Sequence, residues 1–262
     1  MPPTAGPNLS ESRDDVWPVC PNPVRRPVQL HRWELLTFLH WRFDPEVVQR
    51  LLPPGSGLTV HTFDGDAWVG LVPFHMTAYA PGGPPVPWVC HFPETNVRTY
   101  VRAPDGSTGV WFLSLDAARL GAVVAARTGY HLPYFWSKMA VLGVGDLMTY
   151  QSRRWWPGPF GASLDCAIRI GEPFSDHELS ELDHWLTGRW RLFSVSGRGR
   201  LRYALADHPP WPLHRAEVLH LDDGLFTAAG LPRPENPEPL THYSPGVPVR
   251  IGRPHLVQAP SR

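Results

Sequence analysis

The sequence has 262 residues, 42% of them hydrophobic and 18% charged, with 24 Lys and Arg balanced by 24 Asp and Glu. That composition excludes a disordered chain, and the even charge leaves no basic footprint for nucleic acid or an anionic membrane. No apolar run reaches the roughly 18 residues of a spanning helix, so neither nucleic acid nor membrane is an expected partner. The 32 prolines, 23 glycines and abundant aromatic residues suit short strands and many turns better than a helical bundle. Cys20, Cys90 and Cys166 are far apart and odd in number, which fits a reducing cytoplasm rather than a disulfide framework.

Residues 1–27 are proline-rich and read as a flexible leader, and residues 256–262 as a loose tail. A single domain over 28–255 lies between them. Asp44-Pro45 opens a short helix with Val47, Val48, Leu51 and Leu52 on its apolar side. Leu58–Phe63 and Trp68–Phe74 flank Asp64-Gly65-Asp66 as a hairpin. Glu94–Arg102 and Val110–Leu115 form a second hairpin, after which Asp116 caps a helix running to about Thr128. Strands over 132–142, 147–154 and 162–170 follow. Ser175 and Glu178 have capping-box spacing for a helix with Leu179, Leu182 and Leu186 inward. A hairpin over 191–206, a strand near 216–221, a short helix near 224–229 and a strand near 247–251 complete the chain. The fold class expected is α+β, a curved antiparallel sheet forming a barrel or cone with helices outside.

Side chains two apart on a strand share a face. Glu94, Asn96, Arg98 and Tyr100 therefore share one face, and Thr95, Val97, Thr99 and Val101 the other. The polar set is either a solvent face or the lining of a cavity within a curved sheet. Glu94 and Arg98 stand roughly 13 Å apart along the strand, too far for a direct ion pair. Lys138, the only lysine of the chain, shares a strand face with Tyr134 and Trp136. It is either a snorkelling or ion-paired surface residue, or a partly buried amine able to attack carbonyl groups. The 13 histidines include no HExxH, no His-x-His and no Cys/His quartet, so no metal and no cofactor are expected. No GxSxG elbow and no P-loop occur either.

Several stretches together have a familiar order and spacing: Phe38–Arg42, Asp64–Phe74, Phe92–Val101, Leu132–Phe135 and His242–Val247. They resemble the YqjF-like family of uncharacterised bacterial proteins, placed in the acetoacetate-decarboxylase-like superfamily. The resemblance implies a large curved sheet closing around an internal cavity. In acetoacetate decarboxylases a lysine forms a Schiff base just after a proline, with a glutamate on an earlier strand. By resemblance Glu94 matches that glutamate, while Tyr134, after Pro133, occupies the lysine position and forms no imine.

The expected function is binding, or an undefined conversion, of a carbonyl- or carboxylate-bearing small molecule within the barrel. Glu94 would serve as acid, base or orienting group, Tyr134 as hydrogen-bond donor, Arg98 as carboxylate anchor and Asn96 as a further contact. Tyr243 and Ser244 would contribute near the mouth. Two other readings are a decarboxylase- or aldolase-like enzyme with Lys138 as imine-forming amine, and a non-catalytic interaction protein using the leader. A homo-oligomer is admitted by all three.

Overall fold

A computed structural model of the protein describes residues 19–83, 90–175 and 177–258. In chain order the elements are β1 (Gln29–Phe43), α1 (Pro45–Gln49), β2 (Thr59–Val60), β3 (Ala67–Tyr79), β4 (His91–Arg102) and β5 (Thr108–Ala117). Next come α2 (Leu120–Gly129), β6 (Tyr134–Val144), β7 (Leu147–Trp156), β8 (Ser163–Pro173) and α3 (Glu181–Thr187). The last are β9 (Arg191–Val195), β10 (Leu201–Asp207), β11 (His214–Asp223), α4 (Leu225–Ala228), β12 (Leu240–Ile251) and β13 (His255–Leu256).

One sheet holds all these strands, and it closes on itself through the β4–β5 pairing. Going around from β5 through β6, β7, β8, β11, β12, β1 and β3 to β4 gives a nine-strand barrel. A second, smaller circuit is completed by β9 and β10, because β9 pairs with β5 and β10 with β12. The two circuits share β12, β1, β3, β4 and β5. Shared strands must be covered on both faces, and β4 is buried at every position from Glu94 to Val101. Two interiors result. The nine-strand circuit encloses a packed core with Leu39, Val69, Leu71, Val97, Tyr150 and Ile168. On the other face of the shared strands lie Leu36, Val72, Phe74, Phe112, Leu115 and Trp211.

Antiparallel pairing dominates, but β5 pairs in parallel with both β6 and β9. For β6 the physical reason is α2: a helical crossover brings the chain back to the end from which β5 started, whereas a tight turn would reverse it. Strand β9 reaches β5 only after β8 and α3. Several local expectations hold. Asp44 Oδ1 accepts from the Glu46 amide at 2.7 Å and starts α1. The β4–β5, β6–β7 and β9–β10 hairpins form as well.

Other expectations are corrected. Thr59–Val60 pairs with β4 rather than β3, so the Asp64-Gly65-Asp66 turn joins only the isolated Phe63–Asp66 bridge to the start of β3. Asp116 caps nothing: β5 continues through it, α2 begins at Leu120, and its N-cap Arg119 makes no side-chain cap. Asp116 is instead fully buried, bound by Arg154 through Nε at 2.9 Å and Nη2 at 2.6 Å and by Ser137 Oγ at 2.6 Å. Ser175 and Glu178 bond each other, yet α3 starts one turn later with a Ser180–Asp183 capping box. Within the expected leader, Cys20 and Val24 are buried, and the Val24 amide donates to Asp207 Oδ2 at 2.8 Å. Residues 1–18, the rest of that leader, lie outside the described residues. No helix among the described residues is long and apolar enough to cross a membrane.

Candidate functional site

The smaller circuit surrounds a cavity of about 160 Å³. Strand β4 contributes Glu94, Asn96 and Arg98 to its wall, β6 contributes Tyr134, and α2 contributes Ala122 and Ala126. Inward alternation places all three β4 side chains there, and the choice left open between solvent face and cavity lining resolves in favour of the cavity. Their opposite-face neighbour Val97 packs into the other core.

Glu94 is 2% exposed and accepts a hydrogen bond from the Tyr134 hydroxyl at 2.9 Å. Burial pushes its carboxyl up to about 8; the Tyr134 bond opposes this and nearby Asp116 adds to it. Glu94 is therefore mainly the neutral acid at pH 7. Tyr134 is itself held well above the usual phenol range, first by burial and then by Glu94, so it remains a donor. The bond occupies Glu94 Oε2 and leaves Oε1 unengaged by any side chain among the described residues.

Arg98 is 9% exposed, and its Nε is buried with no partner. Its guanidinium lies over the rings of Phe38 at 5.3 Å and Tyr100 at 5.9 Å, with no ion pair to a carboxylate among the described residues. The Asn96 Oδ1 atom is likewise buried without a partner. Buried polar groups are ordinarily paired, and a buried cation without a counter-charge is costly. Three consecutive inward positions of one strand thus hold polar capacity that the described residues use only in part.

The support beneath Arg98 is ordered by hydrogen bonds. Tyr100 donates to Leu186 O at 2.9 Å, so His40 Nε2, 2.7 Å away, must donate to the Tyr100 oxygen. Burial holds His40 neutral, with Arg98 next in effect. Gly70 makes room for this stack, since a Cβ there would meet the His40 ring at 3.0 Å and Arg98 Cγ at 3.6 Å.

The other residues proposed from sequence are elsewhere. Lys138 is exposed on the part of β6 that leaves the barrel, opposite Arg153, and does not line the cavity. Its face alternates with Tyr134 as expected, but the strand has run out of the core before reaching it. Tyr243 is buried in the packed core of the nine-strand circuit, and Ser244 Oγ accepts from the Gly246 amide at 3.2 Å. Neither lines the cavity, and Tyr243 packs into the other interior.

Sequence reasoning missed Thr187, Arg189, His208, Trp33 and Trp211, all of which line the cavity. Arg189 lies over Trp185 at 4.1 Å and bonds His61. Burial pushes His208 down to about 4, and its Nδ1 lies 2.8 Å from Pro209 O. Their only signal was the density of Trp, His and Arg in segments that carry no motif. No group of three or more His, Cys, Asp and Glu placed to hold a metal occurs among the described residues.

The closed mixed sheet with few helices has the acetoacetate-decarboxylase-like fold. The solved structures agree. The chain resembles acetoacetate decarboxylase from Legionella pneumophila with a TM-score of 0.59 at 12% identity, covering 97% of this chain and 98% of that one. The enduracididine biosynthesis enzyme MppR, complexed with the condensation product of pyruvate and imidazole 4-carboxaldehyde, gives a TM-score of 0.63 at 15% identity, covering 99% and 100%. The chain belongs to the DUF2071 family, described as an uncharacterized conserved protein, whose model matches residues 30–248. It is 38% identical over 214 residues to the uncharacterized protein YqjF of Bacillus subtilis (strain 168), covering 81% of this chain and 85% of that protein.

Proposed function

We propose that the protein binds a carbonyl- or carboxylate-bearing metabolite in this cavity, with Arg98 taking the carboxylate. The observation that carries this reading is the run Glu94, Asn96 and Arg98: one neutral acid, one amide and one uncompensated guanidinium on the same inward face. A monoanion would neutralise Arg98 and accept its charge-assisted bonds. Asn96 would orient the same ligand.

The neutral Glu94 acid could donate to a ligand carbonyl oxygen, with Tyr134 holding the carboxyl in place. Proton transfer at or beside that carbonyl is the chemistry such a pair can supply. Imine formation is not part of this reading, since Tyr134 is no amine and Lys138 stands outside the cavity. The condensation product bound by MppR derives from pyruvate, an oxo acid, and this supports the same ligand chemistry here.

Calorimetric titration with small monocarboxylates and their neutral amides tests the proposal. Saturable binding of the acids, absent for the amides and lost in Arg98→Met, is expected. Binding that survives Arg98→Met overturns it. The imine alternative has its own readout: borohydride trapping with pyruvate should leave Lys138 unlabelled by mass spectrometry.

A further inference from the structure

We infer that the ligand of this cavity is a monocarboxylic acid with an apolar body about the size of one aromatic ring, and that α2 sets this size. The inference rests on the carboxylate reading above and deepens it.

Besides Glu94, Asn96 and Arg98, the wall carries polar groups of Tyr134, Thr187, Arg189 and His208, but most of the remaining lining is apolar. Val72, Phe74 and Met76 enter from β3, Phe92 from β4, and Val110 and Phe112 from β5. Trp33 and Trp211, near-parallel with ring centres 6.1 Å apart and 16° between planes, both line the cavity. A short, fully polar acid would leave this wall facing empty space. An engineered cavity of about 150 Å³ with aliphatic and aromatic walls stays dry and takes benzene. The volume here, about 160 Å³, is of that order.

Helix α2 supplies the remaining side. Ala122 and Ala126 are four residues apart, so they share a helix face, and both line the cavity. Their methyl groups are the smallest side chains that keep the helix while leaving the volume open. Leucine at either position would extend into the space where the ligand body sits. The second guanidinium at the wall, Arg189, differs from Arg98 in having a side-chain hydrogen bond, to His61, and the glutarate probe below asks whether it also takes a carboxylate. Arg189 is also spread over Trp185 at 4.1 Å and Tyr100 at 4.9 Å.

The test uses acetate, phenylacetate and glutarate as calorimetric probes on the full chain and on Arg98→Met, Ala126→Leu and Ala122→Leu. Phenylacetate should bind the wild type at least tenfold more tightly than acetate, from burial of the ring. At least one leucine variant should lose most of that advantage while still binding acetate saturably, which also shows that its site is folded. Arg98→Met should lose both acids. Equal affinity for acetate and phenylacetate, or tighter binding of glutarate than of phenylacetate, overturns the size inference. If Arg98 is still required in that case, the carboxylate reading stands alone. A phenylacetate preference unchanged in both leucine variants overturns the role of α2. No saturable binding of any acid overturns both readings.

Discussion

The two interiors of this protein bury charge in opposite ways, although they are separated only by the thickness of strands β4 and β5. In the nine-strand circuit, Asp116 and Arg154 are both fully buried and bound in two parallel bonds. Ser137 adds a third bond, and the guanidinium lies 3.6 Å from the centre of the Phe135 ring. That group is closed in charge: the protein supplies the counter-ion, although Arg154 Nη1 is left without a hydrogen-bond partner. Across the strands, Arg98 has aromatic faces but no carboxylate among the described residues, and Glu94 escapes the cost of burial by keeping its proton. That group is open. A closed set specifies how strands pack together, whereas an open set spends stability on readiness for a ligand.

The largest expected effect comes from breaking the closed set. Asp116→Asn leaves Arg154 buried without a counter-charge and should cost about 3–5 kcal/mol in denaturant unfolding. Arg98→Met should behave in the opposite sense, raising the unfolding midpoint while abolishing carboxylate binding. A loss of stability comparable to that of Asp116→Asn would show that the two interiors do not differ as described.

Glu94→Gln sharpens the contrast through pH. The carboxyl titrates near 8 in the folded protein against an ordinary 4.5, so between these values the native state holds a proton that the unfolded state has released. Stability should therefore fall as pH rises from about 4.5 to about 8 and level off above, by on the order of a few kcal/mol. The variant should lack this slope. Urea midpoints at pH 5, 6.5 and 8.5 compare the two, and parallel curves would deny that Glu94 is neutral at pH 7. In the wild type, affinity for a monocarboxylate should likewise weaken above pH 8, as a second negative charge appears beside it.

The smallest effect belongs to Lys138→Ala, at an exposed position outside both interiors. Its unfolding free energy should change by no more than about 0.5 kcal/mol, and its affinity for acids should match the wild type.

Period-two alternation made the face shared by Glu94, Asn96 and Arg98 legible, because strand geometry alone puts alternate side chains on one side. It was legible for Tyr134 only through the motif resemblance around Pro133. Alternation also put Lys138 on the Tyr134 face, but it could not say where β6 leaves the barrel. Asp116 was misread because an aspartate ahead of a helix has the same local chemistry whether it caps the helix or continues a strand. What distinguished the two was Arg154, 38 residues away.

From residue order alone one could read most strands, three of the four hairpins, α1 and a polar stripe on one strand, since these depend on interactions between near neighbours. The closure of one sheet into two circuits was decided only in three dimensions, as were the parallel partners of β5 and the choice of Thr187, Arg189, His208 and Trp211 as cavity wall. The reason is physical: whether a buried charge is satisfied depends on groups brought together by distant strand pairings, and no local pattern encodes which strand becomes the neighbour.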